Sequence, residues 1–274
     1  MFTVGGVAWQ GEIDAWGRWL VAAGRPASTV GLRTYHLRRL GEAMTVGPWE
    51  VGGDALASWL GSQSWSAETR RSVRSSLRTF YAWGLVTGRT EVDPSATLGV
   101  VKASRPNPRP AGEDVLTRAL QLTGPRERLM VRLAAELGLR RGEVAQVHRE
   151  HLSEGPWGWT LTVHGKGAKV RQLPVSDDLA RAVRVACLEN GWAFPSPHGG
   201  HLSPAHVGKL VSAVLPVGWG MHTLRHRFAT RAYAVDTDLL TVMALLGHAS
   251  PDTTRRYVQV PDTALRRTVL AVAG

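Results

Sequence analysis

The stretch at 222–230 reads HTLRHRFAT, and it is followed by LLGH at 245–248 and by Tyr257. His222 and Arg225 are three residues apart, so a helix would place both side chains on one face. The glycine of the second segment is typical of a helix C-terminal cap, which would let the next histidine project from the helix end. Imidazole, guanidinium and phenol groups are thus collected in one compact unit. This set of groups suits the chemistry of a phosphodiester.

Ser250 and Pro251 predict the start of a new helix, with the serine as N-cap, and Tyr257 lies about two turns into it. Each group also has an ordinary structural explanation, because histidines on helices often pack in cores and a tyrosine on an amphipathic helix is usually buried for packing. His222 and His226 have the i, i+4 spacing of zinc ligands. The stretch lacks the glutamate of a His-Glu-x-x-His motif, however, and the chain has a single cysteine.

Taken together and in this order, the segments resemble the second signature box of the tyrosine recombinases, the phage integrase family. That box combines His-x-Leu-Arg-His, Leu-Gly-His and a tyrosine nine residues further on, as found here at His222, His248 and Tyr257. The resemblance implies an enzyme that cleaves and rejoins DNA through a 3′-phosphotyrosine intermediate, without metal, ATP or another cofactor. One departure is the stretch Tyr233–Asp236, because relatives usually have a glycine before the next helix.

The sequence GLRRGEV at 138–144 resembles the first box of the same family. Gly138 permits a tight turn, and the resemblance makes Arg140 the matching catalytic arginine. A planar guanidinium can hold two phosphate oxygens at once. Glu143 lies one helical turn later and can orient an arginine or a histidine, although a surface carboxylate would have the same spacing. Arg141 is a second candidate for phosphate contact.

Two strands are predicted at about 157–164 and 170–175, and GKGAK at 165–169 forms the turn between them. The turn resembles the one from which the family projects a catalytic lysine, so Lys166 is the match and Lys169 a candidate DNA contact. Only four of the 33 basic residues are lysines, and two of them lie in this turn. An ordinary exposed hairpin would account for the lysines equally well.

The resemblance, together with the chemistry of the groups, predicts a role for each residue. Tyr257 is the nucleophile, His222 the base that takes its proton, and Lys166 the acid that protonates the leaving 5′-oxygen. Arg140, Arg225 and His248 stabilise the charge that builds up on the phosphate in the transition state.

The N-terminal part predicts four short helices, at about 8–23, 28–44, 55–61 and 67–86. The fourth carries a basic stripe at Arg70, Arg71, Arg74 and Arg78, which we interpret as a DNA-contacting surface, although a solvated helix face would look the same. This architecture resembles the core-binding, SAM-like domain that precedes the catalytic domain in the family.

The domain organisation follows from these elements. We predict an all-α core-binding domain at 1–101, a basic proline-rich linker at 102–110, and a mixed α/β catalytic domain with a C-terminal tail helix at 111–274. The fold class is therefore mainly α with a small antiparallel sheet. The linker has three prolines and contributes Lys102, Arg105 and Arg109, which suit a segment lying along DNA.

Composition is consistent with this interpretation. The 274-residue chain has a formal net charge of +11, of which +4 lies in residues 1–105 and +7 in residues 106–274. A basic surplus in both halves indicates a polyanionic partner. The single cysteine, the absence of a long apolar run and the absence of a signal-peptide pattern predict a cytoplasmic protein with no membrane association.

Beyond the tyrosine, residues 261–272 predict a short helix with Leu265, Val269 and Val272 on one apolar face. Such a helix needs a surface to cover, which can be its own domain or another protomer. In relatives a comparable tail docks on a neighbouring protomer, which implies a homotetramer on two double-stranded DNA sites with tail exchange. Accessory DNA-bending or directionality proteins are compatible with such an assembly.

The sequence leaves several functions open. Integration or excision of mobile DNA such as a phage genome, and resolution of chromosome or plasmid dimers, would use the same residues. A type IB topoisomerase shares the chemistry but swivels one strand. A DNA-bound regulator on an inactivated scaffold and a metal-dependent nuclease are further alternatives, although the complete set of six matching residues argues against the regulator.

Overall fold

The computed structural model describes residues 4–102, 109–165 and 169–247. The chain divides into two compact units between residues 105 and 106. The described residues are mainly helical, with one three-stranded antiparallel sheet, which confirms the predicted fold class. Within these ranges, no helix combines the length and the apolar character needed to cross a membrane.

The described part of the first unit contains four helices that pack around an aromatic core. Phe80 lies at its centre, stacked on Trp49 with ring centroids 4.9 Å apart and in edge contact with Trp16 at 5.3 Å. Gly84 allows Trp49 to approach, because a Cβ at this position would lie 2.4 Å from the indole ring. The helices are α1 (Val4–Ala22), α2 (Ala27–Ala43), α3 (Gly53–Ser62) and α4 (Ala67–Val86).

The second unit packs helices around one face of the sheet. Its core is formed by Leu and Val side chains of α5, α6, α8 and α9 and of the inner face of the sheet. In chain order the elements are α5 (Glu113–Leu122), α6 (Pro125–Glu136), α7 (Arg141–Ala145), a 3-10 turn (Arg149–His151), β1 (Leu152–Gly155), β2 (Gly158–His164), β3 (Val170–Val175), α8 (Asp177–Ala186), α9 (Pro204–Val214), α10 (Met221–Asp236) and α11 (Leu239–Leu246).

The sheet has the order β1-β2-β3, and both pairs of neighbouring strands are antiparallel. Val163 of β2 is paired with Arg171 of β3, and the backbone N–H of Gly165 donates to the carbonyl of Lys169 at 2.7 Å, which closes the hairpin. Strand β1 is absent from the sequence prediction. It reads LSEG, and only Leu152 is partly buried, so it lacks the apolar alternation that identifies a strand.

The turn between α10 and α11 is formed by Thr237, with φ 58° and ψ 16°. Among the described residues it is the one non-glycine residue with positive φ. Thr237 directly follows Tyr233–Asp236, the stretch in which the sequence lacks the expected glycine. A β-branched residue in the left-handed region is sterically strained, and glycine would adopt this conformation without strain. The turn therefore forms although its local sequence is unfavourable.

Candidate active site

The junction between α6 and α7 brings the two sequence boxes together. Gly138 has φ 63°, and a Cβ there would lie 2.5 Å from Cδ1 of Phe228 on α10. The predicted glycine turn is therefore confirmed, and the same glycine permits a close helix contact. Its carbonyl also accepts a hydrogen bond from Nη1 of Arg225.

Arg140 is the N-cap residue of α7, and Glu143 holds it from one turn below. The Arg140 backbone N–H donates to Oε2 of Glu143 at 2.9 Å, and Nη1 donates to Oε1 at 2.8 Å. The arginine side chain is 39% exposed, whereas that of the glutamate is 4% exposed. The carboxylate thus fixes a guanidinium that still reaches solvent, where a ligand can meet it.

A second arginine, which the sequence analysis did not identify, binds the same carboxylate. Nη1 and Nη2 of Arg171 donate to the two oxygens of Glu143 at 2.9 and 2.8 Å, and Nε donates to the carbonyl of Leu245 at 2.9 Å. The sequence did contain a signal. Arg171 lies two and four residues before the buried Leu173 and Val175, so all three side chains point to the core face of β3. A charge on that face requires a partner.

The ionisation of Glu143 reflects these contacts. Burial alone would raise the pKa of this carboxyl group. The hydrogen bonds from the Arg171 side chain and the Arg140 backbone, the charge of Arg171 and the hydrogen bond from the Arg140 side chain together outweigh the burial and lower the pKa below its usual value. Glu143 is therefore an anion in the folded protein.

Arg225 lies inside the site, with 3% of its surface exposed. Nη2 donates to the carbonyl of Leu246 at 2.7 Å, and Nη1 lies 3.8 Å from Oε2 of Glu143. The arginine predicted to bind phosphate is thus held against main-chain carbonyls at the ends of α6 and α11. Its guanidinium belongs to the same charge cluster as Arg140 and Arg171.

His222 lies one turn before Arg225 on α10 and reaches the surface. Its Nε2 lies 2.8 Å from Nε2 of the buried His226. Desolvation, followed by the charge of Arg225, lowers the pKa of His222. Desolvation, His222 and Arg225 lower the pKa of His226 to about 4. Both rings are therefore neutral near pH 7, and one of them donates the proton of the shared hydrogen bond.

The segment before His248 also has the predicted geometry. Gly247 ends α11 with φ 63° and ψ 46°, which confirms the expected glycine cap. His248 itself, Lys166, Tyr257, Arg105 and the predicted tail helix lie outside the described residues. Within the described ranges, no group of three or more His, Cys, Asp or Glu side chains could hold a metal ion.

A sequence model of the phage integrase family matches residues 113–263. Tyrosine recombinase XerC of Rhodospirillum centenum is 31% identical over 90% of this chain and 82% of its own length. Tyrosine recombinase XerD of Caulobacter vibrioides is 32% identical over 77% of this chain and 76% of its own. The chain belongs to the phage integrase family of tyrosine recombinases.

A solved structure extends the likeness to the whole fold. The lambda integrase tetramer bound to a Holliday junction superposes with a TM-score of 0.73 at 16% identity, covering 91% of this chain and 77% of the integrase. The protein is accordingly a site-specific recombinase, an enzyme of DNA strand transfer.

In the first unit of the recombinase, two arginines of the predicted basic stripe bind main-chain carbonyls. Arg70 donates to the carbonyls of Leu60 and Gln63, and Arg74 donates to that of Leu98 through Nη2 at 2.8 Å. Both side chains are half-buried, and they tie α4 to the end of α3 and to the loop at Leu98. They have a structural function whether or not they also contact DNA.

The other described candidates for DNA contact lie at the surface. Arg71 pairs with Glu68 at 3.2 Å, and the Arg109 guanidinium lies 5.1 Å from the ring centroid of Trp219. The exposed candidates are Arg71, Arg78, Lys102, Arg109, Arg141 and Lys169.

Proposed function

We propose that the recombinase cleaves DNA by attack of the Tyr257 phenol on a backbone phosphorus. The phenolic oxygen forms a bond to phosphorus, the bond from phosphorus to the 5′-oxygen breaks, and the DNA remains attached through a 3′-phosphotyrosine. Attack by a 5′-hydroxyl reverses these steps and joins a new strand. The bond energy stays in the phosphotyrosine, so no ATP is needed, and fixed guanidiniums take the place of a metal in stabilising the phosphate charge.

The observation that carries this proposal is the charge cluster around Glu143. The guanidiniums of Arg140, Arg171 and Arg225 approach its carboxylate to 2.8, 2.8 and 3.8 Å. Three positive charges on one anion leave an excess of two in a largely buried site. A second anion would balance that excess, and the solvent-reaching Arg140 is placed to bind it. Guanidiniums fixed before the reaction stabilise the charge that the phosphate oxygens gain in the transition state.

The proton transfers follow from the remaining groups. His222 is neutral near pH 7 and one turn from Arg225, so it can accept the Tyr257 proton. We assign protonation of the leaving 5′-oxygen to Lys166, because an ammonium releases a proton near neutral pH and a guanidinium does not. His248 donates a hydrogen bond to a non-bridging oxygen.

We further infer how the chain acts on DNA. Residues 1–101 serve as a core-binding domain, the basic linker 102–110 follows the duplex, and residues 111–274 carry out catalysis. Four protomers assemble on two duplex sites, in keeping with the tetrameric lambda integrase on its junction. The product would be integrated or excised mobile DNA, or resolved chromosome or plasmid dimers, with accessory proteins setting the direction.

Covalent capture from a random pool tests this function and selects the DNA site in the same experiment. The protein is incubated with a pool of nicked duplexes of randomised sequence, denatured, and the DNA that remains attached to protein is sequenced. We expect selected duplexes linked to Tyr257, located by mass spectrometry, in the presence of a metal chelator. Tyr257→Phe should bind the selected duplex normally and form no adduct, because only the attacking oxygen is removed.

Tyr233→Phe serves as the matched control and should form the adduct at the normal rate. Attachment of DNA to Tyr233 or Tyr81, or adduct formation that the chelator abolishes, would overturn the proposal. Absence of any adduct from the whole pool would also overturn it, because a randomised pool contains every short core sequence.

A further inference from the structure

Arg171 lies where three segments of the site meet. Its guanidinium binds both oxygens of Glu143 on α7, and its Nε binds the carbonyl of Leu245 near the end of α11. The side chain is 12% exposed. A single residue of β3 is therefore hydrogen-bonded to the helix that Arg140 caps and to the helix that precedes His248.

Two glycines lie against this ion pair, and at Gly247 a larger residue would crowd it. A Cβ at Gly165 would lie 3.7 Å from Oε1 of Glu143 and 3.9 Å from Nη1 of Arg171. A Cβ at Gly247 would lie 3.1 Å from Nη1 of Arg171 and 3.2 Å from its Cδ. Gly165 precedes Lys166 in the chain and Gly247 precedes His248. The ion pair therefore lies against the residue that leads into each of these two segments.

We propose that Arg171 is a positioning residue for strand cleavage, which fixes the segments carrying Arg140, Lys166 and His248 relative to one another. The proposal rests on the function proposed above, since it is those residues that need placing. Arg171 acts through Glu143 and the Leu245 carbonyl and does not itself touch the phosphate. The planar fork of a guanidinium is required, because an ammonium cannot bind two carboxylate oxygens and a carbonyl in these three directions.

The test compares two conservative variants, Arg171→Lys and Arg227→Lys. Arg227 is a matched control in the same unit. Its Nη2 binds both oxygens of Glu113 at 2.9 and 2.7 Å and its Nη1 approaches the Ala135 carbonyl at 3.4 Å, so its hydrogen bonds reach neither Glu143 nor the segments before Lys166 and His248. The measurement is formation of the covalent adduct on the nicked selected duplex, with duplex in excess so that each protein molecule reacts once. Unfolded protein lowers the amplitude of the reaction, whereas misplaced groups lower its rate constant.

We expect Arg171→Lys to lower the rate constant about 100-fold, because small misplacements of catalytic groups have effects of this size. Arg227→Lys should stay within about threefold of the unmodified protein, because its hydrogen bonds leave Glu143 and the segments before Lys166 and His248 in place. Duplex binding should be similar in both variants. A rate constant for Arg171→Lys equal to that of Arg227→Lys would overturn the proposal.

A duplex with sulfur in place of the bridging 5′-oxygen supplies the second measurement. Thiolate leaves without a proton, so the part of the defect that comes from a misplaced Lys166 should disappear. We expect the loss for Arg171→Lys to be about tenfold smaller on this duplex than on the ordinary one. An equal loss on both would mean that Arg171 does not place the lysine, and the proposal would fail.

Glu143→Gln provides an independent variant, should Arg171→Lys fold poorly. It keeps the shape of the side chain but removes the charge that Arg171 binds, and it should show the same preference for the sulfur duplex. Failure of this inference is distinguishable from failure of the proposed function. If the unmodified protein forms its adduct at Tyr257 and Lys166→Ala prefers the sulfur duplex, but neither Arg171→Lys nor Glu143→Gln does, only the role of Arg171 is wrong.

Discussion

At the scale of single residues, the basic side chains of the site divide by whether they can release a proton. Arg140, Arg171 and Arg225 each carry a guanidinium, a group that does not act as a proton donor in proteins. They supply a fixed positive field around Glu143, which is itself held as an anion. Proton donation to the leaving group therefore requires a residue other than arginine, and we assign it to Lys166. The separate roles of lysine and arginine can be measured.

Lys166→Ala should slow cleavage of an ordinary duplex by about 100-fold or more, the usual contribution of a positioned acid. On the duplex with a bridging sulfur the loss should be only a few-fold. Arg140→Ala is the comparison: it should lower the rate on both duplexes by about 100-fold or more, because it stabilises charge on the non-bridging oxygens. Single-turnover cleavage gives both results, and an equal loss for Lys166→Ala on the two duplexes would show that Lys166 only binds phosphate.

The paired histidines make stability depend on pH. Burial and nearby charge lower the pKa of His226 to about 4, from 6.5 in an unfolded chain. Between these values the unfolded chain binds more protons than the folded one, so acidification favours unfolding. The stability contributed by the neutral ring is present above about pH 6.5 and is lost as the pH falls towards 4.

His226→Asn should therefore flatten the dependence of unfolding free energy on pH in this window, by an amount on the order of 3 kcal/mol. Urea unfolding at several pH values between 4 and 7 measures it. The variant of the exposed loop residue His198, His198→Asn, should follow the unmodified protein. If His226→Asn loses as much stability on acidification as the unmodified protein does, the buried ring is not the cause.

Some residue-level features were predictable and others were not. The contact between Arg140 and Glu143 follows from a spacing of three residues at a helix start, and Gly138 and Gly247 follow from their positions beyond helices. Arg171 is 28 residues from Glu143 and 74 from Leu245, so no local spacing indicates its contacts. Its one visible sign is a charge on the apolar face of a strand.

At the scale of elements, strong local signals determined which boundaries could be predicted. α4 and β3 have the predicted bounds, because Ser66 caps the first and alternation marks the second. β1 lacks such a signal, since it depends on pairing with β2 along an exposed edge. The turn after α10 is a third case, in which the element forms although its local sequence is unfavourable.

Thr237→Gly should raise the stability of the protein by about 1 kcal/mol, because it removes the steric conflict of a β-branched residue at φ 58°. Denaturant unfolding measures the change. Ala234→Gly is the matched control three residues earlier: it lies within α10, where glycine should lower stability by a similar amount, about 1 kcal/mol. Destabilisation by Thr237→Gly would mean that contacts of the threonine side chain outweigh the backbone strain.

At the scale of the whole molecule, the basic charge is spread over both units, +4 in residues 1–105 and +7 in residues 106–274. If the charge served one unit alone, the other could be neutral. Two basic units joined by a basic linker suit a protein in which both units bind DNA. A single protomer has one nucleophile, however, and exchange of strands between two duplexes needs several. Assembly is thus part of the proposed function.

Deletion of residues 261–274 tests that assembly. The predicted apolar face at Leu265, Val269 and Val272 needs a surface to cover, and we propose that a neighbouring protomer provides it. The truncated protein should bind a single selected site nearly as well as the full chain, yet lose cooperative binding to paired sites and recombination. Gel-shift titrations with one-site and two-site duplexes measure both. A full-length control with Arg266 and Arg267 changed to Gln, which alters only residues off the apolar face, should keep cooperative assembly. Should the truncated protein pair two sites at the concentration that the full chain requires, the tail covers only its own domain and exchange in trans is wrong.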